Sequence, residues 1–204
     1  MDRPMHDYEA LDDKALLARI AARDESAATV LYNRWFRQFY ALAYRFVGRT
    51  EPAEDIAQEA FVRVLVKVHR YNPTLSARTW FATIVRRLAF DWLRRAKVRA
   101  AVPLTEPEDD GERALDVPDR EPTALERVQA REREAAVRWA LAQLPDDDRA
   151  VLLLRDYEGH SPAEAAAVLD IPLGRVGGRL FRARQRFADL LVREFPSLFP
   201  SRGR

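Results

Sequence analysis

The feature that most constrains the fold is an acidic, proline-containing stretch between two regions of helical periodicity. Residues 101–124 contain four prolines and eight acids against two arginines. Such a composition leaves little to bury and predicts an extended, flexible linker. On both sides of it, apolar residues recur at helical spacing, and no segment alternates in the way a half-buried strand does. The sequence predicts an all-α protein of two helical bundles, residues 1–100 and 124–204, joined by an acidic linker at residues 101–123.

Composition excludes several classes of protein. The chain has 204 residues, and 48% of them are hydrophobic, which is enough to bury a core. It contains no cysteine, which excludes disulfides and thiolate metal sites, and its three scattered histidines do not suggest a metal centre. No apolar run is long enough to cross a bilayer, and the acidic, polar start does not resemble a signal peptide. We expect a cytoplasmic protein with no metal, no cofactor and no membrane insertion.

The net charge of +2 conceals a strong segregation of charge along the chain. Residues 61–100 hold ten Lys or Arg and a single acid, Asp91. Residues 173–193 hold six arginines and a single acid, Asp189, and the acidic stretch lies between these two basic segments. Two basic surfaces separated by an acidic strip indicate nucleic-acid binding at two places.

The first basic segment contains a helix in which aromatic residues and arginines are interleaved, residues 77–95. On a helical wheel one side is an ordinary buried stripe of Phe81, Ile84, Val85, Leu88 and Trp92. The other, solvent-facing side collects Thr79, Thr83, Arg86, Arg87, Phe90 and Arg94, with Trp80 at the border. Arginines neutralise phosphates, and an exposed aromatic ring offers a stacking platform for an unpaired base. A merely solvated basic face is the alternative.

The second basic segment follows a helix-turn-helix pattern. Ser161, Pro162 and Glu164 predict an N-cap, a first helical residue and a capping box. A short turn through Asp170 leads into a long helix whose buried side is Val176, Leu180, Phe187 and Leu191. Its exposed side carries a continuous stripe of Arg175, Arg179, Arg182 and Arg186.

This arrangement predicts a helix that reads the major groove of DNA, with a solvated arginine face as the alternative. The adjacent pair Gly177 and Gly178 weakens the prediction. Two glycines cost a helix on the order of 2 kcal/mol relative to alanine, and they offer no side chain to a base edge.

A third surface lies on the helix that follows Gly48, which we expect to end the helix before it. Thr50 is the expected N-cap of this third helix. Asp55, Glu59, Val62 and Val66 recur on one side of it, flanked by Glu54 and Gln58. Carboxylates that give way to exposed valines are typical of a protein-docking stripe, and the alternative is a solvated first turn.

We find no catalytic signature. The chain has no glycine-rich phosphate loop after a strand, no nucleophile elbow and no metal-ligand spacing. Its acid pairs fall in the linker, where nothing fixes their geometry. We therefore expect that the protein is not an enzyme.

Three motifs in order carry a resemblance to a known family. AEDIAQEAFVRVL, ARTWFATIVRRLAFDWLRR and the segment from LPDDDRAVLLL to GGRLFRARQRF resemble a bacterial RNA polymerase sigma factor of the extracytoplasmic-function group. The resemblance covers roughly residues 10–100 and 124–192. It implies two helical domains, core RNA polymerase and promoter DNA as partners, and an anti-sigma factor as a further partner.

The resemblance also implies a role for each surface. Docking on core polymerase falls to Glu54, Asp55, Gln58, Glu59 and Val62. Recognition and melting of single-stranded −10 DNA fall to Arg78, Trp80, Thr83, Arg86, Arg87, Phe90 and Arg94. Contact with double-stranded −35 DNA falls to Arg175, Gly177, Gly178, Arg179, Arg182 and Arg186. The loop at residues 70–77 corresponds to the one that receives a flipped-out base, and the linker to the segment that threads toward the RNA channel.

The chain departs from the family pattern at three places. The last helix begins GRVGGR where GTVKSR is usual, residues 84–87 read IVRR where IARN is common, and Asp170 replaces the usual glycine of the turn. These changes leave room for two rival functions. One is a sigma-like mimic that titrates an anti-sigma factor, and the other is a free-standing helix-turn-helix regulator.

Overall fold

The computed structural model describes the fold of residues 5–100 and 124–200, so the predicted linker at residues 101–123 lies outside the described residues. Within these ranges the chain is helical and contains no strand, which confirms the predicted all-α fold. The α-helices in chain order are α1 (Met5–Glu9), α2 (Asp13–Ala21), α3 (Glu25–Val47), α4 (Thr50–Lys67), α5 (Ala77–Ala100), α6 (Ala124–Gln143), α7 (Asp146–Leu152), α8 (Pro162–Leu169) and α9 (Leu173–Glu194).

The first bundle packs α3, α4 and α5 against one another, and α2 closes one side of α3. Its core contains Leu16, Leu31, Phe46 and Phe81, each at most 2% exposed. Phe81 of α5 packs edge-on against two aromatic rings of α3, with ring centroids 5.0 Å from Trp35 and 5.3 Å from Phe39. This aromatic packing fixes α5 on the bundle and determines which of its faces points outward.

The helix ends follow local sequence with one exception. Gly48 ends α3 in the left-handed conformation with φ of 71°, as its lack of a side chain allows. The prediction that Thr50 is the N-cap of α4 is wrong. Thr50 is the first helical residue, and Arg49 is the N-cap without any side-chain capping bond. Pro52 lies in the first turn, where its missing N–H is not needed.

The second bundle is built on α9, which packs against α6, α7 and α8. The predicted capping box is present, because Ser161 and Glu164 bond reciprocally across the first turn of α8. Asp170 ends α8 in the left-handed conformation, with φ of 56°, and performs the role that glycine usually has in such a turn. The α8–turn–α9 unit is therefore the helix-turn-helix that the sequence predicts.

The two bundles are not separate in this structure. One hydrophobic core runs through both, and α5 packs directly against α8. At the same boundary Arg149 of α7, only 3% exposed, donates to the backbone carbonyl of Phe46 at 3.0 Å, near the end of α3. A cation is favourable at a helix C-terminus, where carbonyl groups lack intrahelical partners.

Candidate nucleic-acid interface

The stripe predicted for protein docking lies open on α4. Every residue of the predicted docking set is exposed, and the set consists of Glu54, Asp55, Gln58, Glu59 and Val62. Val62 and Val66 are 52% and 65% exposed, although most valines in a folded protein are buried. Behind the stripe, buried alanines, Ile56 and Val64 pack α4 onto the bundle. The structure thus presents a stripe of acids followed by apolar side chains, which suits contact with another protein.

The outer side of α5 is only partly open. Arg78, Arg87 and Arg94 are exposed, whereas Trp80, Thr83, Arg86 and Phe90 are half-buried. The expectation that Thr79 and Phe90 face solvent is wrong for this structure. Thr79 is 1% exposed, and the ring of Phe90 packs edge-on against Phe46 with centroids 5.3 Å apart.

Arg86 occupies an unusual position beside Phe90. Its guanidinium carbon lies 5.4 Å from the centre of the Phe90 ring, a cation–π contact. Its Nε atom is buried without a hydrogen-bond partner. Burial, and then the charge of Arg87, lower the pKa of Arg86. The buried Nε–H of Arg86 is therefore a hydrogen-bond donor without a partner in this conformation.

The second bundle covers the first turn of α5. The carboxylate of Glu164 on α8 accepts hydrogen bonds from the hydroxyls of Ser76 and Thr79, each at 3.1 Å. The backbone N–H of Ser161, as the largest influence, and these side-chain donors lower the pKa of Glu164 to about 2. Glu164 is thus a carboxylate at any pH near neutrality, and it is seated beside the N-terminus of a long helix, where negative charge is favourable.

A second carboxylate of the same bundle binds two arginines of the first. Glu158 accepts from Arg45 of α3 at 2.6 Å and lies 3.5 Å from the guanidinium of Arg78 on α5. Arg78 also donates to the backbone carbonyl of Glu158. Both glutamates therefore contact groups that sit at the start of α5.

The arginine stripe of α9 is mostly open. Arg175, Gly177, Gly178, Arg182 and Arg186 are exposed. Arg179 is half-buried and pairs with Asp147 at 2.8 Å, and Arg186 pairs with Asp148. The helix runs without a break through both glycines. A methyl group at Gly177 would meet nothing within 4 Å, so this side of the helix leaves room for a close approach by a partner.

Sequence reasoning missed several residues of these surfaces. Phe181, on the side of α9 that carries the two glycines, is 65% exposed. Its position outside the buried stripe of α9 could have identified it from the sequence. Glu158, Ser76 and Arg149 could not be found, because their partners in the other bundle lie at least 80 residues away in the sequence. Arg45 gave no signal for the same reason.

Two further features are absent from the part of the chain that the structure describes. No group of three or more His, Asp or Glu side chains among residues 7–98 and 127–200 is arranged to hold a metal ion. None of the helices within the described ranges is both long enough and apolar enough to cross a membrane.

Each of the two bundles matches a known protein family. Residues 31–99 match the family model of sigma-70 region 2, and residues 134–187 match that of sigma-70 region 4. The ECF RNA polymerase sigma factor SigE of Mycolicibacterium smegmatis is 32% identical over 189 residues, which are 91% of this chain and 71% of the relative. The RNA polymerase sigma-H factor of Pseudomonas aeruginosa is 31% identical over 178 residues, 85% of this chain and 90% of the relative.

Solved structures agree with the sequence relatives. CnrH, solved in complex with the cytosolic domain of CnrY, superposes with a TM-score of 0.65 at 25% identity, covering 89% of this chain and 98% of that one. The fold is also that of the sigma factor RpoE from Bartonella quintana, solved with the anti-sigma factor NepR, at a TM-score of 0.58 and 21% identity over 78% of this chain and 93% of that one. The chain belongs to the extracytoplasmic-function (ECF) RNA polymerase sigma factors and carries their regions 2 and 4.

Proposed function

We propose that this protein binds core RNA polymerase through the stripe on α4 and directs transcription initiation at specific promoters. The observation that carries the proposal is the coexistence of three surfaces on one chain. They are an exposed acidic–apolar stripe on α4 and two arginine-bearing helices, α5 and α9, in different bundles. A free-standing DNA-binding regulator would have no use for the α4 stripe.

The two arginine-bearing helices divide the promoter between them in this proposal. Arg78, Trp80, Thr83, Arg86, Arg87, Phe90 and Arg94 of α5 hold the melted −10 strand. Arginine contacts to phosphate supply affinity, and aromatic rings offer stacking for unpaired bases. The half-buried Phe90 becomes available only when its surroundings move.

On α9 the proposal assigns −35 DNA to Arg175, Gly177, Gly178, Arg179, Arg182 and Arg186, and adds Phe181. The glycines admit the DNA backbone closely, and an exposed phenylalanine suits the methyl group of thymine. With two glycines where side chains would read base edges, phosphate contacts and DNA shape carry a larger share of recognition.

The functional units are residues 1–100, 101–123 and 124–204, with the first bundle serving the polymerase and −10 DNA and the second serving −35 DNA. The protein acts in the cytoplasm, where polymerase and promoter are, and catalyses no reaction of its own. Its role is to position the polymerase on DNA.

An anti-sigma factor is a further proposed partner. Between α3 and α6 lies a groove of about 1150 Å³, lined by apolar side chains that include Tyr40, Tyr44 and Val137 and by charged ones that include Arg37 and Arg138. A groove lined by both apolar and charged side chains suits an amphipathic helix. Replacing Tyr40 and Val137 by alanine should relieve inhibition by such a partner while leaving uninhibited transcription unchanged.

The test of the proposed function is transcription by purified core polymerase on genomic fragments, with and without this protein. We expect discrete new start sites that depend on the protein. Asp55→Lys should abolish binding to core polymerase and transcription together. Glu132→Lys, on an exposed position of α6, makes the same change of charge sign and should leave both unchanged.

The outcome separates the rival functions. Start sites that appear only with the protein establish a sigma factor, and alignment of the upstream sequences reveals whether α9 reads a −35 element. If core polymerase does not bind, the proposal is wrong and a mimic that titrates an anti-sigma factor becomes the better account. If DNA binds specifically in the absence of polymerase, a free-standing regulator is favoured.

A further inference from the structure

The contact between the bundles joins two glutamates of one to four polar residues of the other. We call this set the carboxylate latch, and it consists of Glu158 and Glu164 on the second bundle and Arg45, Ser76, Arg78 and Thr79 on the first. The contacts of its two carboxylates range from 2.6 to 3.5 Å. Every one of them joins residues at least 80 positions apart in the sequence.

The latch holds α8 over the face of α5 that is proposed to bind −10 DNA. Thr79 in the first turn is 1% exposed, although it lies on the basic side of the helix. About two turns further along, the charges of Asp147 and Asp170 act on Arg86. A DNA strand cannot reach Thr79 while α8 lies over it, and the acids of the second bundle would repel its phosphates.

The polymerase-docking stripe is not covered in the same arrangement. Asp55, Gln58 and Glu59 are exposed, and Val62 keeps 52% of its surface accessible. The same conformation therefore offers one proposed partner surface and withholds another. An autoinhibited form requires this difference between the two surfaces, because the polymerase, which would bind first, must still reach its docking stripe.

We propose that Glu158 and Glu164 form an autoinhibitory latch, occupying hydroxyl and guanidinium groups at the start of α5 that would otherwise be free to meet DNA phosphates. The inference rests on the proposed assignment of α5 to −10 DNA. In the free protein the latch keeps the bundles closed. Opening of the bundles frees Ser76, Arg78 and Thr79 and uncovers the half-buried Arg86 of α5.

The test uses the full-length protein with Glu158→Gln and Glu164→Gln combined. Glutamine keeps the size of each side chain, removes its charge and replaces one of the two accepting oxygens by an NH2 donor. It also preserves the capping box of α8, in which Gln serves as well as Glu, so the helix-turn-helix keeps its N-terminal cap. The matched control is Glu51→Gln combined with Glu132→Gln, two exposed glutamates outside the latch. Circular dichroism checks that helix content is unchanged.

The first readout is the distance between the bundles. The chain contains no cysteine, so Cys placed at the exposed positions of Glu25 and Gln185 can be labelled with a fluorescent donor and acceptor. We expect high transfer efficiency in the parent and control proteins and a clear drop in the latch variant. If the latch variant stays as closed as the parent, the two carboxylates do not hold the bundles together and the proposal is overturned.

The second readout is binding of the free protein to a fluorescein-labelled single-stranded DNA oligonucleotide at low salt. We expect the latch variant to bind about fivefold or more tightly than the parent, and the control variant to match the parent. Opening without a gain in DNA binding, including no binding by either protein, overturns the autoinhibitory role.

The proposed function is tested by a different measurement from those that test the latch. Binding of core polymerase and transcription by the parent protein test the function and do not involve the latch. A parent protein that fails to bind polymerase, together with a latch variant that opens and gains affinity for DNA, would refute the sigma role and keep the latch.

Discussion

The α4 and α5 surfaces of the first bundle meet the second bundle very differently. Both helices present one polar face away from the same core, and sequence periodicity describes them equally well. The α4 face, which is acidic, is open, whereas the basic α5 face is covered by α8 at its first turn and stays open at Arg87 and Arg94. The exposure of a helix face in this protein therefore depends on how the second bundle docks as well as on the periodicity of the helix.

Charge gives a physical reason for that choice. The second bundle brings Asp147, Glu158 and Glu164 to the interface. These acids attract the arginines of α5 and would repel the carboxylates of α4. Burial of apolar surface supplies most of the interface energy, and complementary charge selects which face is covered.

Among the substitutions that test this comparison, Arg149→Ala should have the largest effect, because it disrupts the contact between the two bundles. The change leaves the carbonyl of Phe46 without its donor and opens a cavity at a site that is 3% exposed. We expect a loss of about 2–4 kcal/mol in the free energy of unfolding, measured with urea. Arg138→Ala removes an exposed pair with Glu134 and should cost less than about 0.5 kcal/mol. A cost below about 1 kcal/mol for Arg149→Ala would refute its role at the interface.

Arg182→Ala should have the next largest effect, and it should act on DNA alone. We expect the complex with polymerase to lose about 1–3 kcal/mol of binding free energy for −35 duplex DNA. If Arg182 contacts phosphate, the loss is the same for all sequences, and the slope of log K against log salt falls in magnitude by about 1. Arg133→Ala, at an exposed position of α6, is the control. A loss confined to one base position would instead assign Arg182 to direct base recognition.

Gly177→Ala should act in the opposite direction to Arg149→Ala, because we expect it to stabilise the free protein. An added methyl group meets nothing within 4 Å and relieves the conformational cost of glycine in a helix. We expect a gain of about 0.5–1 kcal/mol, seen as a higher melting temperature, and weaker binding to −35 DNA. Gly48→Ala should destabilise instead, since φ at Gly48 is +71°. Unchanged DNA affinity for Gly177→Ala would show that the backbone does not approach DNA there.

The smallest effect should come from pH, through His160. This histidine is 1% exposed at the interface, and neither of its ring nitrogens has a hydrogen-bond partner. Burial lowers its pKa below the ordinary 6.5, the charges of Arg78 and Arg155 lower it further, and Glu164 opposes them.

The sign of the pH effect follows from that lowered pKa. Above pH 6.5 the ring is neutral whether the bundles are closed or open, so the closed form keeps its full stability. As pH falls below 6.5 the open form takes up the proton first, and the closed form becomes less stable. Transfer efficiency between labels at residues 25 and 185 should therefore fall on acidification, and His160→Leu should reduce that response. An identical response in His160→Leu would exclude His160 as its source.

The elements of the fold could be predicted from sequence because local chemistry determines them. The capping box at Ser161, the turn at Asp170 and the end of α3 at Gly48 are all confirmed. The N-cap at Thr50 was predicted wrongly, because α4 begins one residue earlier than a capping threonine would allow. Local rules describe each helix well, with errors of a residue at its ends.

The interface between the bundles could not be predicted in the same way. Burial of Thr79 and Phe90 and the buried position of Arg149 depend on segments distant in the sequence that come together only in the folded chain. A helical wheel reports which residues share a face, and it carries no information on what covers that face. The docking, −10 and −35 residue assignments remain predictions that the binding experiments test.

The most direct test of the account is energy transfer between labels at residues 25 and 185 before and after core polymerase is added. We predict high transfer in the free protein and a clear decrease in the complex, with the same complex active in transcription. High transfer that persists in a transcribing complex would contradict the account, because the −10 face would then still be covered. Low transfer in the free protein would contradict it as well, since the bundles would then already be apart.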